Sequence, residues 1–309
     1  MIGLVIKTTG NGCTVRLDLG EERECYIKGN FRIKGIRTTN PVAVGDYVEI
    51  EEMPDGTNWI VAVQPRKNYI IRKSTNLSKE AHVLAANIDQ VALLVTINHP
   101  STSTTFIDRF LATCEAYAVP TVLIFNKIDI LSKEEIIVLE NLMELYKKLQ
   151  YEVYAIQAND TNEEHVKELK RRIFDGKVTL LSGNSGVGKS TLLNTLFGKK
   201  MTRTGEVSSS NNKGVHTTTF SEMYPITNGY VIDTPGIKGF GSVDMKEDEV
   251  DHYFREIFAL SHDCKYDDCK HIEEPGCAVR EAVENQVIAK SRFDSYLSIL
   301  GDCKESKYR

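Results

Sequence analysis

The spacing of hydrophobic and polar positions changes twice along the chain, and each change marks a different kind of domain. Residues 1–65 contain five short strand-like runs separated by turn sequences, at 4–6, 13–17, 24–27, 46–50 and 59–63. Five short strands in about 65 residues predict a small antiparallel barrel such as an OB-fold. An SH3-like barrel or a small sandwich is the alternative for the same pattern.

From residue 85 onward, apolar strands alternate with amphipathic helices. Strands are expected at 91–97, 121–125, 151–156 and 178–181, with helices at 106–117, 133–149 and 163–174 between them. This alternation predicts a parallel, doubly wound sheet. The tail has helical periodicity at 250–260 and 279–300. We therefore expect a multidomain α/β chain with a barrel at 1–66, an α/β domain at 67–243 and an α-helical domain at 244–309.

Composition limits the classes of function. The net charge of −5 over 309 residues excludes a uniformly basic nucleic-acid binder, so any RNA contact must come from local patches. The first residues lack the pattern of a secretory signal, and no apolar run approaches the roughly 20 residues that span a bilayer. Seven cysteines, an odd number, argue against a disulfide framework. We expect a cytoplasmic protein that does not contact membranes.

A glycine-rich segment matches the phosphate-binding pattern G-x-x-x-x-G-K-[ST] in full, between the strand at 178–181 and an apolar helix. Its residues, with the threonine that follows, are Gly183, Asn184, Ser185, Gly186, Val187, Gly188, Lys189, Ser190 and Thr191. Backbone N–H groups of such a P-loop surround phosphates, and the helix N-terminus favours their charge. We expect Lys189 to reach the β- and γ-phosphates and Ser190 to ligate Mg²⁺. A glycine turn that merely caps a helix is the alternative.

A second motif distinguishes guanine from adenine. Asn126, Lys127, Ile128 and Asp129 directly follow the apolar run 121–125. The Asp129 carboxylate can accept hydrogen bonds from guanine N1–H and the 2-amino group. Adenine offers neither donor, and a carboxylate left unpaired costs roughly 1–3 kcal/mol. Beside a P-loop this tetrapeptide predicts GTP as the substrate. Backbone groups of Gln157-Ala158-Asn159 are expected at the guanine carbonyl.

Asp233 and Gly236 belong to a D-T-P-G sequence that follows the apolar residues 230–232. Asp233 would hold Mg²⁺ through water, and the Gly236 N–H would sense the γ-phosphate. A threonine of the loop 214–219 would complete the Mg²⁺ shell. We assign Thr218 to this role, although the pattern alone leaves Thr217 and Thr219 open.

The residue after the D-T-P-G sequence is Ile237, where many related GTPases have a glutamine that orients the attacking water. Some other group must therefore position the water. His216, in the loop that carries the threonines, is the candidate, because imidazole can orient water or accept a proton near neutral pH. We expect His216 and Lys189 to be the catalytic residues; a surface loop histidine without a role is the alternative for His216.

The order of these motifs is unusual. The base-recognition motif at 126–129 precedes the P-loop at 183–190, which precedes the D-T-P-G sequence at 233–236. In most small GTPases the P-loop comes first. The order predicts a circularly permuted P-loop GTPase domain in which the segment after D-T-P-G leads directly into the C-terminal region.

Cys264, Cys269, His271 and Cys277 supply three thiolates and an imidazole within a short stretch of the C-terminal region. Sulfur and nitrogen ligands in a group of four suit tetrahedral Zn²⁺, and four protein ligands make a closed, structural site. The alternative is a set of free cysteines in a small helical core. The other cysteines are interpreted as ordinary buried or surface residues.

Together these motifs closely resemble the ribosome small-subunit-dependent GTPase A (RsgA) family over nearly the whole chain. The resemblance rests on N-K-I-D, G-N-S-G-V-G-K-S-T, G-V-H-T-T-T, D-T-P-G-I and C-x₄-C-x-H-x₅-C, in that order. It implies an N-terminal OB-fold, a permuted GTPase domain and a C-terminal zinc domain. It also implies late maturation of the small ribosomal subunit as the function, with contacts to 16S rRNA.

Local support for RNA binding comes from residues 23–37, which carry five cations, one acid and the aromatic residues Tyr26 and Phe31. A solvated hairpin face is the alternative for this segment. We expect a monomer whose GTP hydrolysis is stimulated by the small subunit. A nucleotide-gated rRNA-binding module in which hydrolysis is incidental uses the same residues and is the second hypothesis, whereas N-K-I-D and D-T-P-G disfavour a P-loop kinase or ATPase.

Overall fold

The computed structural model describes residues 1–9, 12–27, 41–73, 81–198, 221–233 and 245–306. The chain divides into two compact units. The first unit comprises Met1–Leu94 and Gln157–Gly241, and the second comprises Val95–Ile156 and Ser242–Arg309. Among the described residues, no helix combines the length and the apolar character needed to cross a membrane.

The strands are β1 (Ile2–Thr8), β2 (Gly12–Leu17), β3 (Glu22–Ile27), β4 (Tyr47–Glu52), β5 (Asn58–Val63), β6 (Tyr69–Lys73), β7 (Ala81–Ala86), β8 (Gln90–Val95), β9 (Thr121–Asn126), β10 (Glu152–Ile156), β11 (Val178–Ser182), β12 (Glu222–Ile226) and β13 (Gly229–Asp233). The α-helices are α1 (Thr104–Ala116), α2 (Lys133–Lys148), α3 (Glu163–Leu169), α4 (Lys189–Phe197), α5 (Arg255–Ser261), α6 (Ala278–Glu284) and α7 (Lys290–Ser306).

The first five strands form the barrel predicted from the sequence. They pair in the order β1-β2-β3-β5-β4, and β4 pairs back to β1, which closes the sheet. The β3–β5 pairing is parallel and the others are antiparallel, as in an OB-fold. Alternate residues point inward, so that Val5, Val15, Val48 and Ile60 are fully buried. This topology confirms the OB-fold and not the SH3-like or sandwich alternatives.

The rest of the first unit contains a parallel core of three strands, β8, β11 and β13. β8 and the inner part of β11 are buried throughout, as expected for strands covered on both faces. β12 runs antiparallel to β13 and also pairs with β1 of the barrel, where Lys7 forms an ion pair with Glu222 at 3.3 Å. The sheet is therefore mixed and not purely parallel, because β12 and β13 are joined by a hairpin turn.

Two segments of the first unit differ from the sequence-based expectation. β6 and β7 form a separate hairpin, which was not among the predicted strands. The predicted helix at 163–174 is α-helical only to Leu169, and residues 170–174 form a π-helical turn. That wider turn buries Ile173 and Phe174 completely.

The second unit combines the parallel pair β9–β10 and helices α1 and α2 with the C-terminal helices. Its apolar core joins Ala112 of α1 to Phe254, Ile257, Val279 and Tyr296 of the C-terminal region. Asp108 of α1 lies within this core. Its carboxylate accepts hydrogen bonds from Tyr146 Oη of α2 at 2.8 Å and from Ser295 Oγ of α7 at 2.6 Å.

The C-terminal helices differ from the predicted spans. The helix expected at 250–260 is a 3₁₀ turn at Asp251–Tyr253 followed by α5, and the helix expected at 279–300 is interrupted between α6 and α7. Asn285 caps α6, and Gln286 adopts a left-handed conformation with φ of 59°. The apolar periodicity continues across this break because Ile288 still packs into the core, so the pattern alone does not reveal it.

Candidate functional site

The P-loop connects the carboxyl end of β11 to α4 in the first unit, as its sequence predicts. Gly183 has φ of 143°, and a Cβ atom there would lie 2.2 Å from the carbonyl oxygen of Leu94. Gly188, at the start of α4, has φ of 105°. Both positions require glycine, because an L-residue would be strained in this conformation. The loop leads directly into the N-terminus of α4, the kind of position at which proteins bind phosphate groups.

Lys189, at the start of α4, and Asp233, at the end of β13, are close enough for their charges to interact. Lys189 Nζ donates hydrogen bonds to the carbonyl oxygens of Gly183 at 2.6 Å and Asn184 at 2.7 Å. Burial lowers the pKa of Lys189, and the charge of Asp233 partly opposes this. Burial likewise raises the pKa of Asp233, and the charge of Lys189 partly opposes it. A largely buried cation and anion beside a glycine-rich loop are the groups that a magnesium–nucleotide complex requires.

An open cavity of about 700 Å³ adjoins this loop, between α4 and the segment that leads into α3. It is lined by two residues singled out in the sequence, Asn159 and Thr191. Thr195 Oγ1 of α4 donates to the carbonyl oxygen of Ala158 at 2.7 Å, which fixes the 157–159 segment against the P-loop helix. The structure therefore places the segment predicted to contact guanine next to the helix predicted to hold the phosphates.

The Asn126–Asp129 loop lies in the second unit, directly after β9. Asn126 is buried, Lys127 adopts a left-handed conformation with φ of 66°, and Asp129 is exposed in a 3₁₀ turn. Lys127 Nζ donates to the carbonyl oxygen of His99. The chain then enters α2 through a capping box formed by Ser132 and Glu135. The exposed carboxylate of Asp129 is available to a ligand in this arrangement.

Several predicted site residues lie outside the described part of the chain. They are His216, Thr217, Thr218 and Thr219 of the threonine loop, and Gly236 and Ile237 at the D-T-P-G sequence. The residues 28–37, which contain four of the five cations assigned to RNA contact, lie outside it as well. Their roles stay predictions.

The four predicted metal ligands come together in the second unit. The ligand atoms of Cys264, Cys269, His271 and Cys277 all lie within 4.8 Å of one another. His271 Nδ1 is 3.5 Å from Cys264 Sγ and 3.4 Å from Cys277 Sγ, and these two sulfurs are 3.9 Å apart. The thiols and the imidazole therefore point at one common centre that could hold a metal ion.

Electrostatics at this cluster also favour a cation. Burial lowers the pKa of His271, which keeps the imidazole neutral and able to coordinate. Burial raises the pKa of Cys269 to about 12, and the neighbouring Cys277 and Cys264 thiols add to the increase. Several thiolates this close are unfavourable without a positive ion between them, so a metal would relieve their repulsion.

Sequence reasoning missed the contacts that hold these loops in place. One contact joins Lys127 to His99, which is 28 positions away. A second contact, from Asn98 Nδ2 to Glu135 Oε1 at 2.7 Å, joins residues that are 37 positions apart. The residues from Ser132 to Glu135 fit the capping-box pattern, which is a local signal for the start of α2. The other partners depend on which loops the fold brings together.

The mixed sheet with a P-loop at the end of β11, preceded in the chain by a base-recognition loop, defines a circularly permuted P-loop GTPase. A family model described as the RsgA GTPase matches residues 63–243, and one described as the RsgA N-terminal domain matches residues 2–60. The chain belongs to the RsgA GTPase family.

Curated relatives and solved structures agree with this assignment. The chain is 56% identical over 311 residues to the small ribosomal subunit biogenesis GTPase RsgA of Phocaeicola vulgatus, covering 100% of this chain and 99% of the relative. It is 55% identical over 310 residues to RsgA 2 of Bacteroides thetaiotaomicron, with 100% and 99% coverage.

Among solved structures, YjeQ from Thermotoga maritima matches with a TM-score of 0.75 and 33% identity, covering 98% of each chain. The circularly permuted GTPase YloQ matches with a TM-score of 0.73 and 27% identity, covering 100% of this chain and 96% of that one.

Proposed function

We propose that this GTPase binds the small ribosomal subunit, assists its late maturation, and hydrolyses GTP to GDP and phosphate with turnover that the subunit stimulates. The observation that carries the chemical part is the pair formed by Lys189, the first residue of α4, and Asp233, the last residue of β13, beside the glycine loop. The assignment to the small subunit is supported by the name of the full-length relatives, which describes them as small ribosomal subunit biogenesis GTPases.

In this proposal the P-loop holds the phosphates. The backbone of residues 183–191 surrounds them, and Lys189 leaves the carbonyl oxygens of Gly183 and Asn184 for the β- and γ-phosphates. Ser190 and Thr218 ligate Mg²⁺, and Asp233 holds the ion through water. The N–H of Gly236 detects the γ-phosphate. Mg²⁺ supplies charge neutralisation at the β- and γ-phosphates when bound.

Guanine recognition is assigned to Asn126, Lys127, Ile128 and Asp129. The carboxylate of Asp129 accepts from guanine N1–H and the 2-amino group, and its exposure in the 3₁₀ turn supports this role. Lys127 Nζ, held at the His99 carbonyl oxygen, fixes the loop. His216 orients the attacking water, since Ile237 has no hydrogen-bonding group in its side chain.

The Cys264, Cys269, His271 and Cys277 cluster is proposed to hold one structural Zn²⁺. A tetrahedron with Zn–S bonds of about 2.3 Å and a Zn–N bond of about 2.0 Å separates sulfurs by about 3.8 Å and sulfur from nitrogen by about 3.5 Å. The observed separations of 3.9, 3.5 and 3.4 Å support this geometry. Four protein ligands leave no open position, so the ion stabilises the C-terminal region and takes no part in hydrolysis.

We further propose that the protein acts as a monomer in the cytoplasm and contacts 16S rRNA. The OB-type barrel supports an RNA contact as a class of fold. Of the five cations in residues 23–37, only Arg23 is described, and its guanidinium is already paired with Glu21 and Glu52. The other four cations of this segment, Lys28, Arg32, Lys34 and Arg37, lie outside the described residues.

Co-sedimentation with separated small and large ribosomal subunits tests the assignment. We expect the protein to pellet with the small subunit in the presence of a non-hydrolysable GTP analogue and to be released from it in the presence of GDP. It should not pellet with the large subunit in the presence of either nucleotide. GTP turnover should rise when small subunits are added. Lys189→Ala, which removes the phosphate-binding ammonium, serves as the turnover control. The proposal is contradicted if the protein pellets equally with both subunits, or if the rate of GTP turnover does not change when small subunits are added.

A further inference from the structure

We infer that one rim of the barrel is a docking site for a basic protein segment, with an arginine side chain in its cavity. The rim lies where β3 begins, β4 ends and β5 begins. It contains a cavity of about 410 Å³, here called the rim cavity, lined by Glu21, Arg23, Glu24, Tyr26, Glu52, Gly56, Thr57 and Asn58. A volume of this size accommodates one long side chain and the backbone around it.

The rim cavity is negatively charged. Arg23 donates from Nε to Glu21 and from Nη1 to Glu52, each at 2.8 Å, and is thereby shared between these two carboxylates. Glu24 accepts a hydrogen bond from Thr14 Oγ1 at 2.7 Å. Three carboxylates and one guanidinium leave a net charge of −2. This corrects the expectation that Arg23 contributes to a basic face.

An aromatic surface adjoins these charges. Tyr26 of β3 and Trp59 of β5 are register partners whose ring centroids are 5.5 Å apart, and Tyr26 is 47% exposed. Trp59 Nε1 donates to Thr57 Oγ1 at 3.1 Å, and Thr57 Oγ1 donates to Asp55 at 2.7 Å. The turn thus holds the indole ring, and with it the packed phenol ring, in a fixed position.

Carboxylates beside a fixed aromatic face are complementary to a guanidinium group. Its planar face can stack on the Tyr26 ring while its N–H groups donate to Glu24 and Glu52. A lysine ammonium can also donate to the carboxylates, but it stacks less well on an aromatic ring. A nucleic-acid backbone is disfavoured here, because its phosphates would meet a net negative surface. The complementarity between the rim cavity and an arginine side chain does not depend on the proposed function. The identification of the arginine's carrier as a basic protein of the small ribosomal subunit does rest on it.

The chain contains a single tryptophan, Trp59, so its fluorescence reports on this rim. The full-length protein is titrated with a short, end-blocked peptide of alternating glycine and arginine, with its lysine counterpart, and with a single-stranded oligouridine. We expect the arginine peptide to change Trp59 emission and to bind about threefold or more tightly than the lysine peptide. The oligouridine should leave the emission unchanged.

Variants locate the binding. Glu24→Gln, Glu52→Gln and Tyr26→Leu should each weaken the arginine peptide by about threefold, whereas Glu24→Asp should retain binding. Glu144→Gln removes the same charge from α2, outside the barrel, and should have no effect. Unfolding temperatures verify that each variant folds.

Three results overturn the inference: no change in Trp59 emission with the arginine peptide, wild-type binding in all three weakening variants, or oligouridine binding that strengthens in Glu24→Gln. The last result assigns the rim to nucleic acid. No ribosomal particle is present in this titration, so its outcome is separate from that of the co-sedimentation test.

Discussion

Arg292 of α7 donates from Nη1 to Asp108 Oδ1 of α1 at 2.8 Å, in a site where both side chains are almost wholly excluded from water, with exposures of 1% and 0%. The same guanidinium donates from Nε to Glu256 of α5 at 2.6 Å and stacks on the Phe254 ring at 4.6 Å. This one side chain of α7 therefore contacts both α1 and α5.

Removing one member of this buried pair should be strongly destabilising. Arg292→Met leaves Asp108 and Glu256 buried without their cation, and we expect a loss of about 3–5 kcal/mol in the free energy of unfolding. The matched control is Arg109→Met, which breaks the half-exposed pair of Arg109 with Asp302 between the same two helices and should cost at most about 1 kcal/mol. Urea unfolding measures both, and equal losses would contradict this account.

Guanine specificity should reside in Asp129. Asp129→Asn replaces an acceptor with an amide, so GTP binding should weaken by about tenfold or more while xanthosine triphosphate, whose 2-oxo group accepts a hydrogen bond, gains affinity. Competition binding with fluorescent nucleotides measures this. Glu134→Gln, a change of another exposed carboxylate at the start of α2, is the control. If the wild-type protein binds ATP with the same affinity as GTP, the assignment is wrong.

Purified protein should contain one zinc ion per chain, measurable by elemental analysis. Cys269→Ser should lose the metal, whereas Cys303→Ser, at a cysteine outside the cluster, should keep it. A chelator should also make the C-terminal region sensitive to protease, because the ion holds residues 264–277 together. Protein without zinc, or a tail equally resistant after chelation, argues against the site.

His216→Ala should separate binding from hydrolysis. GTP binding should survive, whereas turnover stimulated by small subunits should fall by about 10²–10⁴-fold, the usual effect of losing one positioned general base. His262→Ala, at an exposed histidine of the C-terminal region, is the control. Stimulated turnover like that of wild type in His216→Ala removes this histidine from the mechanism, and fast turnover of the parent protein without ribosomes rejects activation by the subunit.

Three cysteine thiols should be unreactive in the folded protein. Burial raises the pKa of Cys13 and Cys114 to about 12 and that of Cys25 to about 11, from an ordinary value of 9.0. Because a higher pKa means less thiolate at a given pH, the reactive fraction at pH 8 falls by about 10²–10³-fold. Alkylation followed by peptide mass spectrometry should label these three only after denaturation. Labelling of any of them at the rate of a free thiol would falsify the burial.

Much of the fold follows from local patterns. Period-two alternation in the barrel strands and the strand–helix alternation from β8 to β11 predict these elements to within a few residues, because each pattern reflects which side of an element faces a core. The strand β12 was not predicted. The break between α6 and α7 was not predicted, because Ile288 keeps the apolar spacing while Gln286 turns the backbone. The β6–β7 hairpin was also missed, because its two strands are short.

The sequence by itself determined the chemistry of this protein. The P-loop, the Asn126–Asp129 loop and the Cys264–Cys277 cluster are each recognisable because their groups lie within one short stretch, where spacing fixes geometry. Only the tertiary structure decided what surrounds them. Asp108 and Arg292 are 184 positions apart in the chain. Arg23 contacts Glu52 because the strands β3, β5 and β4 are neighbours in the sheet. Such pairs depend on strand register and helix packing, and these are settled by the cooperative burial of apolar surface over the whole unit and not by the local sequence around either partner.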